Sequence, residues 1–86
     1  IDIGCGTGVI TEKLHDQYQF VTGFDVVDHN LSKKINFVLG SPNKLLPFKD
    51  KEFNFAIIGF VLHHSNDPKH LLKEANRIWN YVIIFE

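Results

Sequence analysis

The sequence predicts an α/β fold: an open, doubly wound and mostly parallel sheet of about five strands with helices on both faces. Three observations predict it. A short apolar stretch, Ile1-Asp2-Ile3, runs into three glycines spaced two apart, Gly4, Gly6 and Gly8, and then into a helical pattern. Strand-like and helix-like segments alternate from there to the end of the chain. Residues with ligand chemistry fall repeatedly where a strand ends, at Asp2 with the glycines, at Asp25, and in the loop after Phe60.

The glycine stretch reads as a ligand loop. Glycine has no Cβ and tolerates positive φ, so the backbone can approach a ligand that a side chain would hold off. The first N–H groups of the following helix face the same loop and favour electron-rich groups beside them.

Val9, Ile10, Leu14 and Tyr18 then recur at helical spacing, which predicts a helix over 9–17 with Thr11, Glu12, Lys13, Asp16 and Gln17 on its outer side. Residues 19–24 (QFVTGF) form a strand that ends at Asp25, completing a βαβ unit. The polar stretch 28–34 supplies only a turn or two of helix, short for a right-handed crossover. Residues 36–39 (NFVL) give the third strand, stopped by Gly40-Ser41-Pro42.

Residues 41–52 form a loop, and 53–60 (FNFAIIGF) a central strand buried on both faces. After a loop over 61–66, Asp67 and Pro68 provide an N-cap acid and a proline at the first helical position. Leu71, Leu72, Ala75, Ile78 and Trp79 make the apolar stripe of that helix, with Lys69, Lys73, Glu74 and Arg77 outside it. Residues 81–85 (YVIIF) are the last strand, reached with almost no loop.

Eighty-six residues allow one domain at most. With 44% apolar and 22% charged residues and a net charge of −1, the chain is neither disordered nor basic enough to suggest nucleic acid or an anionic membrane as partner. No apolar run approaches the roughly 20 residues of a membrane span. The single cysteine, Cys5, excludes an internal disulfide and fits a reducing compartment. The chain opens inside a motif, without a signal peptide, so a cytoplasmic protein is expected and the chain reads as a fragment of a larger one. Its oligomeric state is left open.

A dinucleotide fingerprint needs a third glycine where this chain has Val9. The pattern observed is Gly-x-Gly-x-Gly behind an acid, Asp2. An acid closing the second strand 17 positions after Gly8 has a mechanism of its own: the carboxylate of Asp25 can accept from two vicinal ribose hydroxyls.

With Leu46-Pro47-Phe48, the charged stretch 49–52, Val61-Leu62-His63-His64, Asn66-Asp67-Pro68 and the run 71–78 (LLKEANRI), these features resemble the class I S-adenosylmethionine-dependent methyltransferases, in their small-molecule, type 11-like form. The resemblance extends along nearly the whole chain. It implies a truncated Rossmann-like fold, with residues 1–86 as a partial methyltransferase domain comprising the cofactor-binding half. It also implies S-adenosyl-L-methionine as cofactor and transfer of its methyl group to a small-molecule acceptor that the sequence does not identify.

Position by position, the resemblance implies that Gly4, Cys5, Gly6 and Gly8 pass beneath the methionine part of the cofactor while Asp2 helps to hold its ammonium group. Asp25 would bind the ribose hydroxyls, Val26 would pack on the adenine, and Phe60, Val61 and Leu62 would wall the other side. Ser41 and Pro42 occupy the places of the family's adenine contacts, where an acid and a small residue with a free N–H are usual. Serine replaces the first only weakly, and proline has no N–H to give. These departures motivate an alternative, a degenerate methyltransferase-like module that serves a structural or partner-binding role without cofactor turnover.

His64 is either a group at the cleft mouth that orients or deprotonates a substrate or a loop histidine bonded to backbone. His63, His64 and His70 lack further ligands at metal-site spacing, so no metal is expected. His15, His29 and His70 read as surface residues. A helix N-terminus lowers a thiol pKa, but Cys5 has no histidine near it in sequence, and its place is explained by packing instead of nucleophilic chemistry.

Overall fold

A computed structural model describes residues 1–18, 20–31, 33, 35–59, 65–79 and 81–85. In chain order the elements are β1 (Asp2–Ile3), α1 (Val9–Gln17), β2 (Thr22–Asp25), β3 (Asn36–Leu39), β4 (Ala56–Gly59), α2 (Pro68–Ile78) and β5 (Val82–Phe85). The five strands form one parallel sheet in the order β3-β2-β1-β4-β5. The chain steps outward from β1 through β2 to β3, returns to β4 on the other side of β1, and steps outward again to β5. Right-handed crossovers in opposite directions put α1 and α2 on opposite faces, which is the doubly wound, Rossmann-like arrangement expected from the sequence.

Register decides what each face offers. Ile3 pairs with Phe24 and Ile58, and these three side chains share the face covered by α2. Leu71, Ala75 and Ile78 of α2 are fully buried against them. Burial of a leucine or isoleucine of this kind is worth about 1.5–3 kcal/mol, so this face carries most of the apolar stabilisation. Asp2 pairs with Gly23 and Ile57 on the opposite face, beneath α1, where the hydroxyl of the buried Thr11 donates to Asp2 Oδ2 at 2.8 Å.

Loop 46–50 is fastened to α2 by two side chains. Glu74 Oε1 accepts from the Leu46 N–H at 2.7 Å, and Arg77 donates to the carbonyls of Leu46 and Phe48 at 3.0 and 2.8 Å. Arg77 Nε also pairs with Glu74 Oε2 at 2.8 Å, and its Nη1 with Asp50 at 2.9 Å. Phe48 is thereby set edge-on between Phe24 and Phe53, at centroid distances of 5.9 and 5.0 Å.

The two helices and the third strand fall where the spacing predicts them, Asp67 Oδ1 capping α2 by accepting from His70 N at 3.0 Å. Two strands begin later than their composition suggests. β2 starts at Thr22 because the ladder with β3 starts there, and Phe20 is left 87% exposed. β4 starts at Ala56 because its partner strand opens at Val82, while the Phe53 N–H turns to the Ile78 carbonyl at the end of α2.

The side-chain stripes also shift. Thr11, expected outside, is buried, and Val9, expected inside, is 63% exposed. Glu74, expected outside the stripe of α2, is buried because it accepts from a backbone N–H of loop 46–50. His15 is half-buried, as is His70, whose Nε2 lies 2.9 Å from the Lys44 carbonyl; only His29 of these three is exposed. The short connection between β2 and β3 forms no helix among its described residues. Leu31 does the covering instead, reaching Gly8 and Gly23 so closely that a Cβ on either would lie 2.5 or 3.2 Å from it.

Candidate functional site

Parallel strands that step outward in two directions leave a crevice at their carboxyl ends, and here it holds a cleft of about 520 Å³, within the usual range for small-molecule sites. Its floor is the loop from Gly4 to Thr7. Gly4, Gly6 and Gly8 all have positive φ, at 78°, 54° and 87°. At Gly6 a Cβ would meet nothing within 4 Å, so the loop presents bare backbone to open space. Gly8 is different: it is buried under Leu31, N-caps α1 without a side-chain partner, and serves the turn, not the cleft wall.

Asp25 ties this loop to the end of β2. Its Oδ2 accepts from the Gly6 N–H at 2.7 Å and its Oδ1 from the Val26 N–H at 2.6 Å. A carboxylate has about four acceptor positions, so each oxygen keeps capacity for a ligand donor. Asp2 lies deeper, 3% exposed. Burial raises its pKa above the ordinary value, the Thr11 hydroxyl works against that rise, and the nearby Asp25 charge adds to it. Asp2 and Asp25 are the charged side chains lining the cleft among the described residues.

Cys5 also lines the cleft but faces inward, 8% exposed, with its Sγ packed toward Gly23. Burial, then the charges of Asp2 and Asp25, push its thiol pKa up to about 11. The thiol is therefore neutral near pH 7 and acts as a small apolar group.

Of the positions expected from the sequence, Asp2, Gly4, Cys5, Gly6, Asp25, Val26 and Pro42 are brought together around one cleft. Gly8 supports it from below. Ser41 is not among the residues lining the cleft; its hydroxyl accepts from the Asn43 N–H at 3.1 Å within its own loop. Phe60, Val61, Leu62 and His64 lie outside the described residues.

Three polar residues were missed. Thr7, Asn43 and Ser65 all line the cleft, and the Ser65 hydroxyl donates to Asn43 Oδ1 at 3.3 Å, joining the loops that follow β3 and β4. The signal available for Asn43 was its place directly after Ser41-Pro42, where the expected base contacts are weak.

A family model described as a methyltransferase domain matches residues 1–80. The chain belongs to this methyltransferase domain family. An uncharacterized protein of Methanocaldococcus jannaschii is 31% identical over 81 residues, and a demethylmenaquinone methyltransferase of Bacillus cereus is 30% identical over 93. Each match covers 91% of this chain, which spans only 38% of the length of either relative. Among solved structures, a SAM-dependent methyltransferase of Thermotoga maritima is 28% identical with a TM-score of 0.80, over 96% of this chain and 41% of that one. The methyltransferase domain thus has the fold of S-adenosylmethionine-dependent enzymes and corresponds to less than half of such a protein.

Among the described residues, no helix of the domain is long and apolar enough to cross a membrane. Nor does any group of three or more His, Cys, Asp or Glu among them stand where it could hold a metal ion.

Proposed function

We propose that the cleft binds S-adenosyl-L-methionine and that the protein containing this domain transfers the cofactor's methyl group to a small-molecule acceptor, residues 1–86 forming the cofactor-binding half. The observation that carries this reading is the coupling of the bare glycine loop to Asp25, which lines the cleft at the end of β2 and holds the Gly6 N–H. Family membership supports the same reading.

The cleft's volume, open backbone and carboxylates fit the cofactor's parts. Gly4 to Gly6 would carry the methionine end, Asp2 would offset its ammonium charge, and Asp25 would accept from the ribose hydroxyls. Val26 and Pro42 would hold the base between apolar surfaces. When bound, the cofactor supplies an activated methyl group on a sulfonium, so the protein's own work is alignment of the acceptor and exclusion of water. Ser65 lines the cleft, and its neighbour His64 enters the proposal as the group that orients or deprotonates the acceptor.

Isothermal titration of the full-length protein with S-adenosylhomocysteine tests the reading. Saturable binding at one site is expected. A folded protein that gives no binding heat over a range of temperatures would overturn it.

A further inference from the structure

We infer that Asn43 reads the adenine base in this cleft, an assignment that rests on the proposed cofactor reading and adds the residue that gives it base specificity. The base belongs at the end of the cleft between β2 and β3, lined by Val26, Pro42 and Asn43. Few groups there can make the polar contacts. The Ser41 hydroxyl accepts from the Asn43 N–H and lies off the cleft lining, Pro42 has no N–H, and the Val26 N–H is given to Asp25. Asn43 is the lining residue at this end whose side chain offers a donor and an acceptor side by side.

Its amide oxygen has one hydroxyl neighbour. Ser65 Oγ accepts from the Asp67 N–H at 3.2 Å, and its own proton goes to Asn43 Oδ1. Oδ1 is left with a second acceptor position, and Nδ2 has two protons and no partner among the described residues. An acceptor next to a donor is the complement of adenine, whose amino group donates beside an accepting ring nitrogen. Hypoxanthine carries a carbonyl where adenine has the amino group, and that oxygen would face Oδ1. One amide thus takes over the two contacts that Ser41 and Pro42 cannot make.

The test is titration of the full-length protein with S-adenosylhomocysteine and with S-inosylhomocysteine, for the wild type, Asn43→Ala and Ser65→Ala, with urea unfolding of each. The wild type is expected to prefer the adenosyl ligand by about tenfold or more. Asn43→Ala brings that ratio close to one, mainly by weakening the adenosyl ligand. Ser65→Ala frees the amide to turn over, which raises inosyl affinity and leaves adenosyl affinity nearly unchanged.

A merely structural role would weaken both ligands alike, and that result overturns the assignment. So does a wild type that binds both equally, while the cofactor reading stands. A folded wild type that binds neither ligand overturns the cofactor reading and this assignment with it.

Discussion

Replacing Asp25 separates the two jobs its carboxylate does. In the free protein Oδ2 and Oδ1 each hold one backbone N–H, of Gly6 and Val26. The Gly6 bond is partly buried, so Asp25→Ala leaves an N–H short of a partner and costs about 1–2 kcal/mol of stability; the Val26 N–H is exposed and turns to water at little cost. In the proposed complex the same carboxylate would accept from two ribose hydroxyls. Hydrogen bonds to a charged group are worth about 1.5–3 kcal/mol each, and neighbouring bonds add incompletely, so about 2–4 kcal/mol of binding is lost. That corresponds to a rise of about 30- to 1,000-fold in the dissociation constant of S-adenosylhomocysteine.

The assay is calorimetric titration of wild type and Asp25→Ala at one pH, paired with urea unfolding of both. Asp25→Asn serves as an intermediate case, since it keeps one acceptor and introduces a donor where two N–H groups already point. The expected pattern is a modest stability loss with a much larger affinity loss. If stability falls while affinity changes by less than about twofold, Asp25 serves the loop alone and the ribose assignment is wrong.

Gly8→Ala is expected to destabilise the domain by about 1–2 kcal/mol in urea unfolding, chiefly through its left-handed φ of 87°, with the end of the Leu31 side chain shifting to admit the Cβ. A loss below about 0.5 kcal/mol would show that Gly8 does not hold that left-handed conformation. Glu74→Ala should cost about 2–4 kcal/mol by releasing Arg77 and orphaning the Leu46 N–H, and Glu74→Gln about half that, because the amide oxygen still accepts from Leu46. Arg77, by its hydrogen bonds, holds the Glu74 pKa below the usual carboxylate range, so its stabilisation is full above that range and disappears as pH falls through the folded value. The stability gap between wild type and Glu74→Gln should accordingly narrow in acid. Asp2 behaves oppositely, its pKa held up chiefly by burial. An ammonium beside it favours the carboxylate, so binding of S-adenosylhomocysteine releases a proton and weakens as pH drops through the raised value; Asp2→Asn should bind more weakly at neutral pH and lose that slope.

The periodic segments were legible because their patterns are local. α1 and β3 keep their predicted bounds, and Asp67-Pro68 mark the start of α2 with a cap that the structure contains. Strand starts at β2 and β4 were not, since a ladder begins where its partner begins, and Val82 and Asn36 are distant in sequence from the strands they bound. Thr11 and Glu74 were misread for a related reason. Each is polar, and each is buried because one distant group, Asp2 or the Leu46 N–H, makes burial favourable. In the site, Asp25 was legible from its spacing, but its bond to Gly6 was not, and Asn43 became visible only when the loops after β3 and β4 were seen to meet.

The charge around the glycine loop bears on which ligand it suits. A loop of this kind at a helix N-terminus is commonly an anion site, and a pyrophosphate would be the default occupant. Here the open backbone at Gly6 is already answered by an acid, because its N–H is given to Asp25 Oδ2. A second acid, Asp2, stands on the same face of the sheet, and no basic side chain lines the cleft among the described residues. Two carboxylates with no basic side chain beside them in the cleft repel a diphosphate, and each keeps acceptor positions that an ammonium or a pair of hydroxyls could use. Burial chiefly disfavours the charged form of Asp2, and the Asp25 charge adds a smaller contribution. In the proposed reading, a zwitterionic methionine end would supply the ammonium and the ribose the hydroxyls. The proposed preference for this cofactor over a dinucleotide therefore rests on Asp2 and on the Gly6 N–H being given to Asp25 more than on the count of glycines.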